Sequence, residues 1–208
     1  MNVKQAYNNW AAQYDTNDNK TRDLEAMALQ TTLAGISFTS CLEIGCGTGK
    51  NTAWLVNKTQ RLLCVDLSDE MLSKAKEKIK APHVDFVQAD ILQEWDFTNE
   101  EFNLATFSLV LEHIENLDTI FKKLAGKISS GGYVYIGELH PFKQYAGSKA
   151  RFETEEGVQV VNCFNHHLSD FIQPALQYCF GIAAINEYFD DDDRTTIPRI
   201  LTILLQKK

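Results

Sequence analysis

From about residue 40 the chain alternates short apolar, β-branched runs with segments whose apolar positions recur every three or four residues. The runs "CLEI", "RLLCVDL", "VDFVQAD", "FNLATFSLVL" and "GYVYIGEL" read as strands. Helices are predicted over residues 50–58, 69–79 and 117–128, and a polar stretch follows the third strand. Such alternation builds a parallel sheet with helices on both faces. Ser68 is placed to cap "DEMLSKAKEKI", with acids in the first turn, and "SSGG" (129–132) to end the helix over "LDTIFKKLAGKI". Further on, Ser169 and Asp170 are placed to cap "FIQPALQYCF" and Gly181 to stop it. Two β-rich runs, 182–189 and 199–205, joined by "DDDDRTTIP", then predict an antiparallel hairpin at the sheet edge.

The first ~37 residues fit no such unit. Tyr7, Trp10, Ala11 and Tyr14 fall at helical spacings of three and four and form one aromatic face, suited to core packing or to a lid over a ligand crevice.

A chain of 208 residues with four prolines and no Gly/Ser-rich tract fits one domain, residues 1–208, with a helical cap over 1–37 and an insertion over 138–168. The net charge of −8 argues against a nucleic-acid partner, which would need clustered Lys and Arg. Lys74, Lys76, Lys78 and Lys80 alternate around a helix and read as a solvated face. Asp190–Asp193 lacks calcium-loop spacing and reads as a solvated turn. The five cysteines form no C-x-x-C pair and read as reduced. With no leader-like start and no membrane-length apolar run, the expected location is the cytoplasm, as a monomer or homodimer.

The acids keep the same rhythm as the strands. Glu43, Asp66 and Asp90 are 23 and 24 residues apart, about one strand and crossover helix each, so three strands bring carboxylates to one edge. That edge is the carboxyl end, where open α/β sheets bind ligands. Between Glu43 and the next helix lies "IGCGTGKNT". As a P-loop it fails twice, with Ile44 where the first glycine belongs and Asn51 where the magnesium-binding hydroxyl belongs. As a dinucleotide fingerprint its third glycine comes one residue early, giving Gly45-x-Gly47-x-Gly49. A carboxylate just ahead suits a ligand with a positive end better than a diphosphate.

At these residues the chain resembles the class I S-adenosylmethionine-dependent methyltransferases, whose first motif is acidic-x-G-x-G-x-G after the first strand. "LLCVDLSDEMLSKAK", "VDFVQADIL" and "FNLATFSLVLEHIENLDTIFKKLAGKISSGGYVYIGELHP" continue the likeness in order, over about residues 7 to 141. The resemblance implies a Rossmann-like, doubly wound α/β fold: a mostly parallel seven-stranded sheet with an antiparallel C-terminal hairpin edge and an N-terminal helical cap. Its cofactor would be S-adenosylmethionine, leaving S-adenosylhomocysteine. By the same resemblance, Gly45, Gly47 and Gly49 would admit the methionine part and Glu43 would hold its amino group, directly or through water. Asp66 would accept the ribose hydroxyls, Leu67 and Met71 would pack the adenine, and Asp90 and Ile91 would read its amino edge. Ser108 and Leu109 would line the donor site near the sulfonium, with His113 either ordering this segment or acting directly. No metal is required.

The acceptor is expected to meet the segment 138–168, about thirty residues between a strand and a helix, together with the aromatic face. His140 is the candidate general base or acceptor contact, set against a structural hydrogen bond. Phe142, Tyr145, Phe152 and His166 are further acceptor candidates, with Trp10 and Tyr14 laid over acceptor or cofactor. Arg22 would meet the cofactor carboxylate or form a surface ion pair. The reading that follows is O- or N-methylation of a small molecule, C-methylation being less favoured. Its rivals are a non-catalytic cofactor-binding regulator and an RNA or protein methyltransferase working with a partner.

Overall fold

In the computed structural model, residues 2–154 and 157–208 are described, without the side chains of residues 151–154 and 158. Asn2 caps the first helix, α1 (Val3–Trp10), and Asn19 caps α2 (Lys20–Leu33) by accepting the amides of Thr21 and Arg22. Then come β1 (Ser40–Ile44), the single turn α3 (Thr52–Leu55), β2 (Arg61–Asp66), α4 (Asp69–Lys78), β3 (Val84–Gln88) and β4 (Phe102–Ser108). Next are α5 (Leu117–Ala125), β5 (Ile128–Leu139), α6 (Pro141–Tyr145) and a small two-stranded sheet of β6 (Arg151–Thr154) and β7 (Gly157–Val160). Last are α7 (Leu168–Gln177), β8 (Phe180–Tyr188) and β9 (Ile200–Lys207).

The main sheet has seven strands in the order β3-β2-β1-β4-β5-β9-β8. Its first five strands are parallel, and β9 runs antiparallel between β5 and β8. The pattern predicts the parallel strands and the hairpin, and the resemblance implies the seven-stranded sheet that they form here. Side chains alternate across β1, so Leu42 and Ile44 pack with Phe121 and Leu124 of α5. Cys41 faces the other layer, with Leu29 and Leu33 of α2 and Leu55 of α3. Thus α2 is not a cap. It packs on the sheet beside Tyr135 and Leu204, and only α1 rides over the carboxyl edge.

Three local expectations are corrected. "SSGG" ends no helix, because α5 stops at Ala125 with Gly126 as its cap. Residues 129–132 bulge out of β5, whose pairing with β4 jumps from Phe102↔Ile128 to Leu104↔Tyr133. The cap of α7 is His167, whose amide donates to Asp170 Oδ2 at 2.8 Å. Finally, Gly181 lies inside β8, and the left-handed residue that ends the preceding turn is Cys179 (φ 65°).

Candidate functional site

A cavity of about 290 Å³ opens at the carboxyl ends of β1, β2 and β4. Its floor is the glycine loop. Gly45 (φ 71°) donates to Val65 O at 2.7 Å and its Cα lies against Val110, where an added Cβ would come within 2.2 Å of Cγ2. Gly47 (φ 54°) is the opposite case, since a Cβ there would meet nothing within 4 Å and would point into open space. Gly49 does not line the cavity but packs on Ala75 of α4. Gly45→Ala is therefore expected to cost roughly 2–4 kcal/mol of stability through overpacking and left-handed strain. Gly47→Ala should cost only about 1–2 kcal/mol of fold stability yet weaken cofactor binding strongly. Urea unfolding and calorimetry on both variants check this contrast; equal profiles for the two would contradict it.

Asp66 closes the loop from β2. Its Oδ2 accepts the Gly47 amide at 2.7 Å and its Oδ1 the Ser68 amide at 2.8 Å, which leaves one acceptor direction on each oxygen. Burial raises its carboxyl above the ordinary value, against the pull of these amides. Leu67, Asp90 and Ile91 complete this end of the cavity, with Asp90 Oδ1 turned back to the Leu92 amide at 2.9 Å. Met71 does not reach it. That side chain is buried under α1 with Ala6, Trp10 and Ala11, because the first turn of α4 faces the helix above it.

At the end of β4, Ser108 and Leu109 line the cavity, and Leu109 holds a left-handed φ of 57° although it is not glycine. Strain of this kind persists where surrounding bonds over-determine it. Here the Leu109 amide donates to Gly137 O at 2.8 Å, and buried Glu138 Oε1 accepts the next two amides at 2.9 and 2.8 Å.

Behind Ser108 lies a recess of about 50 Å³ bordered by Glu25 and Glu43. Glu25 accepts Asn51 Nδ2 at 3.0 Å and Tyr135 Oη at 3.0 Å, and Asn51 also donates to Ser108 Oγ at 3.1 Å. Glu43 shares the Cys41 face of β1, which turns it down to Thr52 Oγ1 (2.6 Å) and Cys64 Sγ (3.4 Å). Burial pushes both carboxyls up to about 7. Burial alone disfavours their ionised forms, and an ammonium entering this recess would favour them, so cation and carboxylate would stabilise each other there.

The roof is aromatic. Tyr7 Oη lies 2.8 Å from His113 Nε2, and His113 Nδ1 lies 2.9 Å from Asn162 O. A carbonyl only accepts, so Nδ1 carries the proton and Nε2 accepts from Tyr7, a neutral ring that burial also favours. Tyr14 borders both this cavity and the recess, and Trp10 packs edge-on to it at 4.8 Å.

A second, polar chamber of about 480 Å³ shares Tyr7, Tyr14 and Leu109 with the cavity. Trp10, Arg22, Glu112, Arg199 and residues 146–150 complete it. Glu112 is buried, and burial pushes its carboxyl up to about 7 against a hydrogen bond with Cys163. Among the described residues of the segment 138–168, 139 and 146–150 line this chamber.

The histidines expected at the acceptor are used elsewhere. His140 caps α6, accepting the Phe142 amide on Nδ1 at 3.2 Å and facing Glu187 through Nε2 at 3.1 Å. With Phe142 and Tyr145 it lines a separate hollow against β8. His166 is buried, its Nε2 between the carbonyls of Leu111 (3.1 Å) and Ile114 (2.8 Å). Its ring ties down the turn after β4 and does not face either cavity. The Phe152 side chain lies outside the described residues. Sequence reasoning did not pick out Glu25 or Glu112, which lie inside a helix and a short turn with no chemical motif of their own.

The cradle fits the implied cofactor. Its glycine loop leaves space at Gly47, Asp66 has two acceptor directions to spare, and the recess offers carboxyls to a cation. Residues 42–136 match the model of a methyltransferase domain. An uncharacterized methyltransferase of Emericella nidulans is 26% identical over 88% of this chain and 77% of its own length. The malonyl-[acyl-carrier protein] O-methyltransferase of Salmonella typhimurium is 29% identical over 66% of this chain, a match spanning 53% of that enzyme. The N-methyltransferase NodS from Bradyrhizobium japonicum, solved with S-adenosyl-L-homocysteine, shares the fold at TM-score 0.73 and 18% identity, covering 100% of this chain and 99% of its own. Residues 42–136 are thus matched to a methyltransferase domain, set in a fold shared with S-adenosylmethionine-dependent methyltransferases, some of them solved with that cofactor or its product.

Proposed function

We propose that the protein methylates O or N of a small-molecule acceptor held in the polar chamber, in the cytoplasm. The observation that carries this reading is the meeting of the two cavities under Tyr7, Tyr14 and Leu109, beside the turn that carries Glu112. When bound, the cofactor supplies a methyl group already activated on a sulfonium. The chain's own work is to align the acceptor and keep water out. The aromatic roof of Tyr7, Trp10 and Tyr14 excludes water, and Glu112 takes the proton that a neutral O–H or N–H nucleophile must lose. The relatives named O- and N-methyltransferases support either atom. The net charge of −8 and a chamber enclosed by α1 favour a small acceptor over a nucleic acid. Five free thiols suit a reducing compartment, and no described helix is long and apolar enough to cross a membrane.

Calorimetry with S-adenosylhomocysteine, followed by transfer of labelled methyl groups into a fractionated cell extract, tests the reading. Label is expected in the small-molecule fraction. Label confined to protein or RNA would overturn the acceptor class, and cofactor binding without any transfer would favour a non-catalytic binding module.

A further inference from the structure

We infer that Cys163 is the positioning residue of Glu112: its thiol donates to the Glu112 carboxylate and holds it at the wall of the polar chamber. This rests on Glu112 being the proton acceptor, as proposed above.

Glu112 is 6% exposed, and a buried carboxyl that must ionise needs a donor, since burial otherwise keeps it protonated. Its neighbour His113 is no such donor. The Nδ1 proton of that ring goes to Asn162 O at 2.9 Å, and Nε2 accepts from Tyr7 at 2.8 Å. Nε2 therefore has no proton to give, although it lies 3.9 Å from Glu112 Oε1. Cys163, from the segment after β7, does have one. Polar side-chain atoms of Glu112, His113 and Cys163 lie within 4.8 Å of one another. The sulfur is 3.7 Å from His113 Nδ1, but that nitrogen is itself a donor, so the thiol proton goes to Glu112, with which the sulfur is hydrogen-bonded.

The sulfur is also tied to the chamber wall. It accepts the amide of Ala150, which lines the chamber with Glu112, and an amide donating into the sulfur strengthens S–H as a donor. Main-chain bonds fix the arrangement on both sides, Phe164 N donating to Glu112 O at 2.7 Å and Val161 N to Ala150 O at 3.0 Å. Burial pushes the Cys163 thiol up to about 12, and the Glu112 charge adds to the effect. Cys163 thus keeps its proton across the range in which Glu112 loses one.

Other titratable groups face Glu112. Tyr7 and Tyr14 are held protonated by burial, and burial raises Glu138 of β5 well above the carboxylate range. The cationic side chains of Arg22, Lys149 and Arg199 line the same chamber. Substitution of Cys163 leaves all of these in place, so a difference between its variants reports on the thiol.

Infrared difference spectroscopy on the full chain tests this without an acceptor. The S–H band lost in Cys163→Ser belongs to Cys163, and the carboxyl C=O band lost in Glu112→Gln belongs to Glu112. As pH rises through about 7 the Glu112 band is expected to fade, and in step the Cys163 S–H band to move to lower frequency. In Glu112→Gln that movement should vanish. In Cys163→Val, which has no donor, the Glu112 band should fade about half a unit to one unit higher in pH, whereas the hydroxyl of Cys163→Ser should keep the midpoint at or below that of the wild type. Turnover measured with labelled cofactor and the accepting fraction should follow the same midpoints. An S–H band indifferent to pH, or a Cys163→Val midpoint equal to that of the wild type, would overturn the inference. If Cys163→Val does not fold, the wild-type S–H band decides. A rise of turnover with pH that persists in Glu112→Gln, while the two wild-type bands still move together, would overturn the base assignment above and, with it, any part for Cys163 in turnover.

Discussion

Replacing Asp66 by alanine is expected to lower affinity for S-adenosylhomocysteine by about a hundredfold or more, at roughly 1.5–3 kcal/mol for each hydrogen bond to a charged group. Two effects combine. The variant loses the acceptor directions that face the cavity, and it unties the glycine loop, because Asp66 is what holds the Gly47 amide at 2.7 Å. Asp66→Asn should fall between the two. One of its side-chain atoms becomes an N–H group set against a backbone amide N–H, so either the Gly47 or the Ser68 contact is lost. Calorimetry reads the affinity, and thermal melting shows whether the sheet beneath is intact. Unchanged affinity in folded Asp66→Ala would remove the residue from the cofactor site.

For Glu112→Gln the larger loss is expected in turnover, about 10²–10⁴-fold, the usual worth of a positioned proton acceptor, with cofactor affinity little changed. The pH dependence carries the sharper signature. Burial pushes the Glu112 carboxyl up to about 7, and only its ionised form takes a proton. Wild-type turnover should therefore rise with pH through that value and level off above it. In Glu112→Gln that rise should vanish, since the amide does not titrate there. Rates measured across pH with the labelled cofactor and the accepting fraction check both points. Equal losses of turnover and cofactor affinity would place Glu112 on the cofactor side.

The cofactor half of the site is written locally in the chain. Asp66 and Ser108 end their strands, and Asp90 and the glycines come within a few residues of a strand end, so period and register suffice to bring them to one edge. The same period-two rule, applied strictly, also explains Glu43: it shares a face with Cys41 and so turns down to Thr52. The acceptor half is assembled across long separations. Glu112 comes from the turn after β4 and residues 146–150 from beyond α6. Neither has a spacing that announces it. The histidines drew attention through their chemistry, yet His140 and His166 serve backbone groups, as a helix cap and as a tie across a turn. Buried polar rings hold loops together as readily as they bind ligands.

The placement of β9 has a consequence for how the protein is made. In chain order it is the last strand of the sheet, yet in space it lies between β5 and β8, with residues 200–205 buried. During synthesis β5 has no neighbour on that side until residues 200–207 have left the ribosome. Its backbone groups and the apolar faces of Val134 and Ile136 stay uncovered until then. The ligand edge, built from β1 to β4, is complete far earlier. The nascent chain thus holds most of its cofactor cradle before it has a closed core, and ligand captured at that stage would bind a chain whose sheet is still open.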